Sequence, residues 1–170
     1  MFADEWKLAV AWSFGVAFGI ALMTLAVVLI SRPFRSRRRE AQLVRARRDF
    51  HRLRERLEVK FFALASQGGK PRGLEWTNCD FEDDVVYARD RHTGQLSAFV
   101  AVTISFAAVP GGAMEAVDAV GDLRAATAVF RMENGCWNTD GRAIFNLNPA
   151  EAVRFFQENL ELVCQEPGRV

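Results

Sequence analysis

Cysteine and histidine are scarce in this chain of 170 residues, with three of the former and two of the latter. Cys79, Cys136 and Cys164 are widely spaced, and no CxxC pair occurs. An odd, scattered set of thiols makes neither a disulfide framework nor a zinc site, and reduced thiols suit a cytosolic environment. One disulfide with a spare thiol is the alternative. Also missing are GxGxxG, the P-loop, GxSxG, HExxH and the EF-hand loop, which would mark dinucleotide, nucleotide, hydrolase, zinc-protease or calcium chemistry. The chain is therefore expected to be non-enzymatic, with no catalytic residue, metal or cofactor.

Charge is missing altogether from Leu8 to Ile30, "LAVAWSFGVAFGIALMTLAVVLI". As a helix this run reaches roughly 34 Å at about 1.5 Å per residue, enough for a hydrocarbon core of about 30 Å. Trp6 and Trp12 lie near its first end, where indoles favour the interface. A cleaved signal peptide would want a basic start and a shorter apolar core. The start here, "MFADEWK", holds two acids and one lysine. The expectation is a single uncleaved transmembrane helix at 8–30 within an N-terminal segment 1–31.

The run ends in "LISRPFRSRRRE". Arg32, Arg35, Arg37, Arg38 and Arg39 face Lys7 alone on the other flank. By the positive-inside rule the N-terminus lies outside and the C-terminal domain is cytoplasmic, at a cell inner membrane. The same arginines can grip anionic lipid, at about 1 kcal/mol each near the surface. Nucleic-acid binding is not expected, because the run lacks interleaved aromatics except Phe34. Within the apolar run Ala11, Gly15 and Gly19 stand four apart, a spacing that lets two helices approach closely and would permit a homodimer.

The net charge of +1 hides an asymmetry. Residues 32–60 hold twelve arginines and lysines against four acids, whereas residues 61–170 hold nine against fifteen. Pro33 predicts a break after the membrane helix. Residues 32–66 then form a basic juxtamembrane helix, free of Gly and Pro from Glu40 to Ala65. Leu43, Ala46, Phe50, Leu53, Leu57 and Leu64 repeat at intervals of three and four, with Lys60 where the next apolar residue is due and Phe61 beside it. Two readings fit: a coiled-coil dimer stalk, or an amphipathic helix whose far end packs on the following domain. The second is preferred. "QGGKPRG", residues 67–73, is a stop and linker.

From 67 to 164 the pattern is that of an α+β domain, with a tail at 165–170. "LEWTNCDFE" and "DVVYARD" read as two strands, and Asp90 with Thr93–Gly94 as a turn. Residues 96–107 alternate strictly: Leu96, Ala98, Val100, Val102, Ile104 and Phe106 on one face, Ser97, Phe99, Ala101, Thr103, Ser105 and Ala107 on the other. Pro110–Gly111–Gly112 ends the strand, and 113–122 is ambiguous. "LRAATAVFRME" and "CWNTDGRAIFNL" flank Asn134–Gly135, a hairpin signal, with a bulge expected at Asp140–Gly141. Asn148, Pro149 and Glu151 start a C-terminal helix whose apolar stripe is Ala152, Phe155, Phe156, Leu160 and Val163. The sum is a curved antiparallel meander of four or five strands between two helices.

That element order resembles the cystatin-like and NTF2-like architectures, an analogy that carries no function. Residues 48–160, with "GLEWTNCDFEDD", "LRAATAVF" and "TDGRAIFNLNPAEA", also resemble a group of uncharacterised bacterial membrane-anchored proteins. The resemblance implies a shared fold and no activity.

Three groups of residues bear on chemistry. Asp80, Glu82, Asp83 and Asp84 lack the spacing of a calcium loop and read as a solvated turn or sheet edge. Cys79 and His92 could pair as nucleophile and base only if folding joined them. Trp76, Asp80, Phe99, Arg124 and Arg142 are the members of a speculative pocket in the curved sheet. The leading functional expectation is a membrane-anchored interaction or scaffolding module that meets an unidentified cytosolic protein. The alternative is an NTF2-like small-ligand or enzymatic pocket.

Overall fold

The computed structural model describes the backbone of residues 5–68, 74–111 and 123–168, and the side chains of these except 5–21 and 24–38. The chain divides into two units, Met1–Arg48 and Asp49–Val170. The division falls inside a helix and not at the Gly-rich linker, so residues 49–68 belong with the sheet.

The first unit is helical from Glu5 onward. Helix α1 (Glu5–Gly68) runs through Pro33, which corrects the expected break there. A proline removes one N–H and crowds the preceding turn, a local cost of about 3 kcal/mol. A Leu- and Ala-rich apolar run before it and an Arg-, Glu- and Leu-rich run after it carry the helix across. Of the apolar run 8–30, only Leu22 and Met23 have described side chains, and both are exposed. Ala11, Gly15, Gly19, Arg32, Arg35, Arg37 and Arg38 lie outside the described side chains, and Arg39 is exposed. Among the residues whose side chains are described, no helix is long and apolar enough to cross a membrane.

The second unit is a curved antiparallel sheet with helix on both faces. Its strands are β1 (Leu74–Asp90), β2 (Leu96–Ala108), β3 (Arg124–Glu133), β4 (Cys136–Asn138), β5 (Ala143–Phe145) and β6 (Leu160–Glu166), with α2 (Pro149–Phe155) before the last. The order is β4-β3-β2-β1-β6, with β5 also on β3. Six strands replace the expected four or five, and the chain is a meander only until β6 returns to the outer edge of β1.

Three differences account for this. The two strands expected at 74–90 are one, because residues 82–84 form a bulge between Phe81↔Val102 and Val85↔Val100. Arg54 of α1 stabilises that bulge by donating to the carbonyls of Glu82 and Asp83 and to Glu58 Oε1. Asp140–Gly141 is not a bulge within one strand but the connection between β4 and β5. The C-terminal helix keeps its predicted start, with Asn148 and Glu151 closing a capping box, but ends at Phe155. "LELVCQE" then pairs with β1 as β6, taking in part of the expected tail. Those carbonyls and N–H groups complete the open ladder of a central strand, and that gain overrides a weak helical stripe.

Two apolar layers result. On one face Phe50 of α1, fully buried, meets Tyr87, Phe130 and Trp137 edge-on at 5.0–6.0 Å between centroids. Phe61 meets Phe81 at 5.6 Å, and Leu57 and Ala65 are also buried. The helix stripe is thus spent inside its own domain from residue 50 onward. On the other face α2 places Ala152 and Val153 against Val86, Ala88, Phe99 and Val129. The two β2 faces read from the sequence are these two layers.

Candidate functional site

Helix α2 has only seven residues and covers only part of its face. Towards the 91–95 turn the sheet is left open, and a groove of about 320 Å³ lies there. Its floor comes from Ser97 and Phe99 of β2 and Val129 and Arg131 of β3. Ser97 stands opposite Arg131 and Phe99 opposite Val129, so all four point to one face. One wall is Arg142 and Ile144, and the other is Phe156, Asn159 and Leu160. Asp90 and Gln95 close the turn end.

Each wall has a local cause. The buried Thr139 hydroxyl donates to Val129 O at 3.0 Å and accepts from Gly141 N at 3.1 Å, which anchors the β4–β5 connection on β3. Asp140 then accepts from Arg142 N at 3.1 Å and from Arg131 Nη1 at 2.8 Å. Arg131 is so engaged, whereas the Arg142 guanidinium lies over the Phe156 ring, 5.6 Å from its centroid. On the opposite side Asp90 accepts from Thr93 N at 2.7 Å and His92 N at 2.9 Å. These bonds, Thr93's first, hold its carboxyl below the usual aspartate value. Ser97 is only 6% exposed, and its hydroxyl has no hydrogen-bond partner among the described residues.

Of the pocket residues expected from the sequence, Phe99 and Arg142 line this groove and the other three do not. Trp76 is buried at the start of β1 on the α1 side, against Phe106 and Phe145. Asp80 is exposed and bonded to Asn78, and Arg124 is exposed at the start of β3. Ser97, Arg131 and Phe156 were missed. Alternation placed Ser97 beside Phe99, but its pairing with Arg131 depends on a register set across a long connection.

The remaining chemistry dissolves. Cys79 pairs with Ile104, whereas His92 lies in the turn beyond the Arg89↔Leu96 end of the sheet, eight β2 residues or roughly 26 Å away at about 3.3 Å per residue. Burial, with the Asp80 charge second, pushes the Cys79 thiol up to about 12. A shift in that direction disfavours the thiolate that a nucleophile needs. The acids at 82–84 belong to the bulge held by Arg54, and Asp84 accepts from Gly168 N. Among the described residues no group of three or more His, Cys, Asp and Glu could hold a metal ion. No family model, no curated protein and no solved structure matches this chain.

Proposed function

We propose that this chain is a single-pass protein of the inner membrane that displays its α+β module at the cytoplasmic face as a non-enzymatic platform for a protein partner. One observation carries the reading: a single helical element, α1, bears in succession the uncharged run, the arginine flank and the aromatic stripe that enters the sheet's core. The arginines set the orientation and hold anionic headgroups, and the Ala11–Gly15–Gly19 face pairs two anchors into a homodimer. A sheet packed on its preceding helix fits the cystatin-like analogy and the resemblance to bacterial membrane-anchored proteins.

The partner surface follows from exposure. Phe155 and Leu162 are 71% and 57% exposed, near the sheet edge that β6 leaves open. Large exposed apolar side chains beside an unpaired strand are features of association surfaces. Two experiments test the reading. A topology reporter fused at Val170 gives a cytoplasmic signal that scrambles when the arginines at 35–39 are neutralised; an external signal from the intact chain overturns the orientation. A photocrosslinking residue at 155 or 162 traps a discrete cytosolic protein in cells, whereas one at the exposed Glu133 does not. No adduct from either position overturns the platform.

A further inference from the structure

We propose that the groove between β5 and the α2–β6 turn is a binding site for a small amphipathic monocarboxylate, its charged end on Arg142 and Ser97 and its apolar body on Phe99, Val129 and Leu160. The site rests on the groove's own geometry and is independent of the membrane reading.

Three observations converge. The Ser97 hydroxyl faces the groove and makes no hydrogen bond to the described residues, which leaves it open to a ligand oxygen. Arg142 has no carboxylate partner among the described residues; its backbone N–H bonds Asp140, and its guanidinium stacks on Phe156 at the rim. A guanidinium placed there can present paired donors to a carboxylate. The floor is apolar, and the volume sits at the small end of pockets for small molecules.

Charge narrows the class further. The lining holds two guanidiniums and one carboxylate, Asp90. Arg131 is already neutralised by Asp140, which leaves one free cation. Asp90 lies at the turn end and repels a second anionic group there. A single carboxylate on an apolar body therefore fits, whereas a dicarboxylate does not.

The test titrates 3-phenylpropionate into the full chain in zwitterionic nanodiscs by calorimetry, with empty discs as reference. The neutral amide and the corresponding amine serve as comparison probes. The carboxylate binds, and the amide binds about tenfold more weakly, as the loss of a charge-assisted bond requires. Arg142→Gln reduces carboxylate affinity about tenfold while leaving the melting temperature and amide binding unchanged, and Ser97→Ala reduces it several-fold. Equal binding of amide and carboxylate, preference for the amine, no effect of Arg142→Gln, or no heat with any probe each overturn the proposal.

Discussion

Replacing Phe50 by alanine tests whether residues 49–68 are core or stalk. The ring is fully buried and makes edge-on contacts with Phe130 at 5.5 Å and Trp137 at 5.0 Å. Phe→Ala at such a site costs about 3–5 kcal/mol, from lost transfer energy and the cavity left behind. A domain of this size is stable by about 5–15 kcal/mol, so the change removes about a fifth or more. At about 4 °C per kcal/mol the melting temperature falls by about 12–20 °C. The assay is thermal and urea unfolding of the full chain in detergent, followed by near-ultraviolet circular dichroism. Val59→Ala on the same helix, at a residue 71% exposed, stays within about 0.5 kcal/mol. A cost below about 1 kcal/mol for Phe50→Ala refutes the reasoning. So does a wild-type midpoint that rises with protein concentration and loses that rise in the variant, because the stripe would then serve a dimer.

Four further outcomes follow from the packing. Gly141→Ala is strongly destabilising, by about 2 kcal/mol or more, since φ is +76° and a Cβ there would lie 2.6 Å from Ala65 N; a urea midpoint equal to wild type contradicts the close approach. Arg54→Met lowers stability by about 2 kcal/mol through loss of its bonds to the β1 bulge, and Arg54→Lys does not restore it because the fork is needed; full stability in the lysine variant would argue against this. Asp90 titrates below its ordinary value of 3.8, so its turn bonds contribute stability above that pH, lost as pH falls through the folded value. The stability gap between wild type and Asp90→Ala therefore closes below about pH 4, as acid titration of both unfolding midpoints checks. Under native conditions at about pH 8, iodoacetamide labels the exposed Cys136 well before Cys79, whose thiol is pushed up to about 12; mass spectrometry of early time points reads the order.

The elements legible in the sequence are those with a local cause. Asn134 and Gly135, at φ 51° and 81°, form the expected primed turn, because both positions need a left-handed residue. Asp90 caps its turn amides, and Asn148 and Glu151 close their capping box, each within three residues of its partner. The alternation of 96–107 sorted the two faces of β2, one buried from Leu96 to Ile104 and the other only at Ser97 and Phe99. What misled was equally local. Pro33 read as a stop, and Ala152, Phe155, Phe156, Leu160 and Val163 read as one long helix, although residues 160–166 also suit a strand.

The sequence by itself determined the order of apolar, basic and acidic segments, the caps and turns, and which β2 side chains share a face. Each is set by neighbours a few positions apart, through backbone sterics, capping bonds and the period of the chain. Only the tertiary structure decided that Phe50, Leu57 and Phe61 fill one side of the sheet, that 160–166 becomes the edge strand beside β1, and that Ser97, Arg131, Arg142 and Phe156 meet around one groove. Those choices depend on contacts between residues tens of positions apart. There the open ladder of β1 and the burial of aromatic rings outweigh local preferences worth less than about 1 kcal/mol per residue.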